Sequence, residues 1–85
     1  MTPQEVFEYK RSWLPGIRVT LHSDLRSQGV GWCKLFMNPI HWKHEKWTGP
    51  YQDTFYFKKM SQAKGLAEKF PQYARIVDDQ LEERT

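Results

Sequence analysis

The chain has a single cysteine, Cys33, and so no disulfide framework. That excludes the small secreted scaffolds held together by disulfides and fits a reducing compartment. Long apolar runs are also missing. No segment approaches the ~20 apolar residues that a membrane span needs, and the polar opening Met1-Thr2-Pro3-Gln4-Glu5 does not read as a signal peptide. The expectation is an intracellular, soluble protein. Glycine is sparse where a phosphate loop would need it: Gly29-Val30-Gly31 lacks the further glycine and the strand–turn–helix setting. Acids are few before residue 76 and scattered, with no pair spaced for general acid–base work. There is no internal repeat and no low-complexity stretch. Together these absences point away from an enzyme.

What is present begins with a charge asymmetry. The formal net charge is +3, but residues 1–75 carry 12 Lys/Arg against 6 Asp/Glu, or +6. Residues 76–85 carry one Arg against Asp78, Asp79, Glu82 and Glu83, or −3. A basic body with an acidic tail recurs in proteins that meet polyanions. It also serves solubility alone, since charge bears on association and not on fold.

The most informative stretch runs from Ile40 to Lys59. Thr48-Gly49-Pro50 is a turn between two β-favouring runs. In the second run Asp53, Phe55 and Phe57 alternate with Gln52, Thr54, Tyr56 and Lys58. A three-residue loop would set Lys43 against Phe55 on the buried face. A four-residue loop, Thr48 to Tyr51, pairs His44 with Phe55 and Trp42 with Phe57, and the apolar pattern selects it. Ile40, Trp42, Phe55 and Phe57 are then core. His41, Lys43, Glu45, Trp47, Gln52, Thr54, Tyr56 and Lys58 form the other face.

Around this hairpin, Thr2-Pro3 starts a helix that ends at Ser12 or Trp13, with Val6, Phe7 and Trp13 facing protein. Pro15-Gly16 stops it. Ile17 to His22 alternates as a strand, burying Ile17, Val19 and Leu21. Leu25, Trp32, Cys33 and Phe36 share one stripe if a helix runs from Asp24 to Phe36. Gly29 and Gly31 weaken that helix, and the alternative is a loop to Gly31 followed by a short helix from Trp32 to Met37. Ser61 can cap a helix carrying Ala63, Leu66, Ala67 and Phe70. Beyond Pro71, the spacing of Tyr73, Val77 and Leu81 predicts a second short helix over Gln72 to Glu82. The expected architecture is one α+β domain over residues 1–85: an N-terminal helix (1–14), a β-α-β-β-α core (17–70) with a three-stranded sheet and helices on one face, and a helical acidic tail (71–85).

The order Trp32-Cys33, Trp42, Trp47, a turn, Phe55-Tyr56-Phe57, then Ala63/Ala67 with Phe70, resembles small uncharacterised proteins of tailed bacteriophages, including phages of marine cyanobacteria. The resemblance covers about residues 17–70. It implies a phage source and an α+β fold; joined to the intracellular reading above, the host cytoplasm is the expected location. It implies no activity and offers no catalytic residue to transfer.

Four residues have metal-ligating chemistry: His22, Cys33, His41 and His44. His41 and His44 fall on opposite faces of a strand, so no shared metal is expected and no cofactor either. His44 is expected at the core edge with a hydrogen bond, His22 and His41 at the surface, and Cys33 as a buried inert thiol. The remaining candidate is the sheet face away from the helices, with Arg18, Lys43, Trp47, Tyr56 and Lys58 as binding residues. Such a face can dock a protein partner through its aromatics and arginine, or bind nucleic acid by stacking bases and neutralising phosphates. The N-terminal helix lying across it is the competing arrangement. A non-enzymatic phage accessory protein that binds a host or phage protein is the first expectation, and a nucleic-acid-binding protein the alternative.

Overall fold

The computed structural model describes residues 2–77. The first helix, α1 (Pro3–Trp13), starts where Thr2 accepts a hydrogen bond from the Glu5 amide at 3.2 Å and Pro3 occupies the first turn. Strand β1 (Ile17–His22) follows, then a 3₁₀ turn over Ser23–Leu25 and helix α2 (Arg26–Phe36). A second 3₁₀ turn (Pro39–His41) leads into strands β2 (Trp42–Gly49) and β3 (Gln52–Phe57). Helix α3 (Met60–Lys69) and strand β4 (Ala74–Val77) complete the described chain.

The sheet has four strands in the order β2-β3-β1-β4, every neighbouring pair antiparallel. With the helices between β1 and β2 and between β3 and β4, this is the β-α-β-β-α-β arrangement of ferredoxin-like folds. The α+β class and the helix-covered face agree with expectation. The number of strands and the end of the chain do not. Residues 74–77, expected within a helix, form β4 against β1, and Ala74 and Ile76 pack on the core. A three-stranded sheet would have left the apolar β1 as an open edge, and β4 closes it. Residues 71–73, also expected to be helical, form the turn before β4, and the expected tail from residue 78 onward lies outside the described residues.

One face of the sheet carries Val19, Leu21, Trp42, Phe55 and Phe57, and these meet Cys33 of α2 and Ala63, Leu66 and Phe70 of α3 in a single cluster. The helix over Gly29 is continuous because that glycine is a packing requirement: a Cβ there would sit 2.6 Å from Leu21 Cδ2. Close approach of α2 to β1 outweighs the propensity cost of the glycine. Ser61 is not the cap of α3. The Gln62 side chain reaches back to accept from the Lys59 amide at 3.1 Å, which puts the helix start two residues earlier.

The hairpin keeps the expected pairings Trp42–Phe57 and His44–Phe55. Its loop differs. Gly49 pairs with Gln52, so the turn is Pro50-Tyr51, and Lys46, Trp47 and Thr48 bulge out opposite Asp53. The bulge is stabilised because Asp53 Oδ1 accepts the Trp47 amide at 3.2 Å, replacing its lost ladder partner. Trp47 adopts φ 55° there. Ile40, expected in the core, is half-buried in the turn before β2. Phe7 and Phe36, also expected to face protein, are exposed.

Candidate functional site

The face of the sheet away from α2 and α3 is polar. Alternation along β1 and β3 turns Arg18, Thr20 and His22, and Gln52, Thr54 and Tyr56, away from the core. Register then sets Tyr56 opposite Arg18 on one side and Lys43 on the other, so an aromatic ring lies between two cations in one cross-strand row. The Tyr56 hydroxyl donates to Glu45 Oε2 at 3.2 Å, and Lys43 Nζ lies 3.3 Å from Glu45 Oε1. Burial and the neighbouring Glu45 push the Tyr56 hydroxyl above its usual pKa, with Arg18 opposing. The phenol stays protonated and is held in place by its carboxylate partner. In the next row, Thr48 and Thr54 hydroxyls bond at 2.7 Å.

The structure brings together Arg18, Lys43 and Tyr56 but not all five expected residues. Lys58, just past β3, hydrogen bonds to the Tyr9 hydroxyl of α1 and sits 4.6 Å from that ring's centre. Trp47 leaves the face altogether. The bulge turns its ring toward α2, where the Arg26 guanidinium lies 4.5 Å from the ring centre. The period-two reading failed at Trp47 because it assumed an unbroken strand up to the loop.

Helix α1 reaches the face only at its Lys43 end. It meets the end where β2 begins: Tyr9 faces His41 at 6.3 Å between ring centres, and Phe7, Lys10, Arg11 and Leu14 share a cavity of about 440 Å³ with Lys43. Burial, and then the nearby Lys43 charge, lower the Lys10 pKa. No residue of α1 lines the depression over Arg18, Thr20, Thr48, Gln52, Thr54, Tyr56 and Val77. That depression shares Thr20 and Gln52 with a second cleft, of about 430 Å³, at the far end of the sheet. The two form one trough along β1 and β3.

On the helix side lies a network that the sequence pattern did not reveal. Asp53, fully buried, accepts from Arg26 Nε at 2.5 Å and Nη2 at 3.1 Å, from His44 at 2.6 Å and from the Trp47 amide. Burial alone would raise its pKa, but the hydrogen bonds from Arg26, His44 and Trp47, with the Arg26 charge, lower it to about 2. Donating to Asp53 in turn raises the Arg26 pKa against the opposing effect of burial. The period-two pattern put Asp53 on the core face with Phe55, and a lone carboxylate there demands a cation, which was the available clue.

His44 meets the expectation of a hydrogen-bonded residue at the core edge. His22 and His41 are half-buried, less exposed than expected. Cys33 is buried, and loss of solvent pushes its thiol up to about 12, so the nucleophilic thiolate is strongly disfavoured. Among the described residues, no group of three or more His, Cys, Asp or Glu is placed to hold a metal, and no helix is long and apolar enough to cross a membrane. No family model, no curated protein and no solved structure matches the chain.

Proposed function

We propose that the chain is a non-enzymatic binding protein whose ligand is single-stranded nucleic acid, held on the open face of the sheet. The observation that carries this reading is the Arg18–Tyr56–Lys43 row. It supplies a stacking ring flanked by charges suited to phosphates, on a face without an apolar core of the kind a protein interface needs. Antiparallel four-stranded sheets with a ring on the uncovered face are one established means of binding RNA, although fold alone assigns no function. The body charge of +6 over residues 1–75 favours approach of a polyanion. The phage source implied by the sequence resemblance, and with it the host cytoplasm, belong to this proposal as its setting.

A protein partner is the second reading, and one observation favours it. On α2, Leu35 and Phe36 are 80% and 69% exposed, and Phe36 adjoins Trp32 and Met37 in a groove against α3. An apolar surface of this kind suits a protein better than a polyanion.

Fluorescence anisotropy with a labelled mixed-sequence oligonucleotide at two salt concentrations separates the readings. Nucleic-acid binding weakens steeply with salt as counterions are released, and Tyr56→Ala costs roughly 1–3 kcal/mol of affinity through lost stacking. Deleting residues 78–85 removes four acids and one arginine, taking the formal charge from +3 to +6, and strengthens binding. No binding by either form at low salt refutes the nucleic-acid reading and leaves the α2 surface as the candidate.

A further inference from the structure

We infer that the cleft at the far end of the trough is a nucleobase site, a second aromatic station beyond Tyr56. This rests on the nucleic-acid reading of the open face and deepens it. The cleft, of about 430 Å³, is lined by His22, Tyr51, Gln52, Gln72 and Tyr73 together with Thr20, Leu21 and Pro50.

The main chain at both of its tyrosines is tied to β1. The amides of His22 and Ser23, consecutive at the end of β1, donate to the carbonyls of Tyr73 at 3.4 Å and Tyr51 at 2.9 Å. One tyrosine is thus fixed on the β4 side of β1 and the other on the β3 side. The Tyr51 ring lies nearly parallel to His22, with centres 6.1 Å apart and planes 9° apart. Yet Tyr51 and Tyr73 remain 69% and 58% exposed, so both offer ring surface to a ligand.

Tyr51 holds that position at φ 55°, left-handed backbone that suits glycine or asparagine. A large exposed aromatic in that conformation adds strain and gains little burial, a combination that points from backbone to function. Among the described residues no lysine or arginine lines the cleft, and Asp24 Oδ2 lies 3.6 Å from His22 Nδ1. The occupant is therefore the neutral base and not its phosphate, which belongs nearer Arg18 and Lys43. The Gln52 and Gln72 amides each present donor and acceptor together, as the edge of a base requires, and neither bonds to another described residue.

The test is the full chain with Tyr51→Gly and Tyr51→Phe, titrated by anisotropy with a labelled single-stranded oligonucleotide and with its abasic counterpart. Glycine removes the ring and relieves the backbone, so Tyr51→Gly folds at least as stably in urea as the parent while binding the oligonucleotide about 5- to 100-fold more weakly. Tyr51→Phe keeps the stacking surface and retains binding. The abasic strand binds the parent weakly, and Tyr51→Gly makes it no worse. If the parent binds the oligonucleotide and Tyr51→Gly matches it within about twofold, against losses of 5-fold or more expected for a stacked base, the cleft is not a base site and the face reading survives. If the parent binds no oligonucleotide at low salt, both fall.

Discussion

Replacing Asp53 by asparagine preserves side-chain size and removes one charge. In the native protein that carboxylate is fully buried and takes hydrogen bonds from Arg26, His44 and the Trp47 amide. Its pKa falls from the ordinary 3.8 to about 2. Because the folded pKa is depressed, the stabilisation is present above the unfolded value and is lost as pH falls through the folded one. At roughly 1.4 kcal/mol per pKa unit, the drop corresponds to about 2 kcal/mol at neutral pH. Asparagine also sets an amide N–H₂ against donors, which adds about 1 kcal/mol or more. Arg26 retains some exposure and can turn toward water, so the total stays near 3 kcal/mol, at the low end for a broken buried pair. Urea unfolding of both proteins at neutral pH measures this difference, and repetition in acid measures its pH dependence. Other carboxylates titrate in both, so the difference between the proteins isolates Asp53. The gap narrows by about 2 kcal/mol between about pH 5 and about pH 2. A neutral-pH difference under about 0.5 kcal/mol, the range of ordinary surface substitutions, or a gap that does not change with acid, would refute the argument.

Trp42→Ala, which empties a core position stacked near Phe55, is expected to cost about 3–5 kcal/mol. Trp47→Ala loses mainly its contact with Arg26 and costs about 1 kcal/mol; equal losses in urea unfolding would show that Trp47 is buried. Cys33, buried with its thiol pushed up to about 12, should label slowly with a thiol reagent in native buffer and at the ordinary thiol rate once unfolded; fast native labelling would reopen a nucleophilic role.

Local signals located most of the fold. The Thr2-Pro3 cap, the alternation of Ile17, Val19 and Leu21, and the pairing of Trp42 with Phe57 are all consequences of neighbours along the chain or of one hairpin. What was not legible depends on distant partners. Residues 74–77 become a strand because β1 offers an apolar edge some fifty residues earlier, as in the Thr20–Arg75 pairing, and their own spacing fits a helix equally well. Gly29 weakens α2 by its own propensity, and only the contact with Leu21, distant in sequence, gives it a packing role. In the candidate site, Arg18, Tyr56 and Lys43 follow from alternation and register. Trp47 escapes because Asp53, paired across the fold with Arg26, draws the backbone of β2 into a bulge. Tyr51 was assigned to the loop, but its left-handed backbone and its closeness to His22 are properties of the folded turn.

The bulge of β2 also bears on how the molecule behaves in a crowd. β2 is the outer strand of the sheet, and an outer strand presents unpaired amides and carbonyls to which another chain can add. From Trp42 to Gly49 it would be the longest strand in the sheet and its most tempting template. Instead the ladder breaks at Lys46-Trp47-Thr48; Lys43 and Glu45 place charge along the part that stays regular, and Lys46 adds a further charge at the break. A strand that changes direction midway and carries lysines gives an incoming edge neither a straight register nor an uncharged border. The buried carboxylate that holds the bulge thereby helps keep a small, tryptophan-rich chain from polymerising through its own sheet.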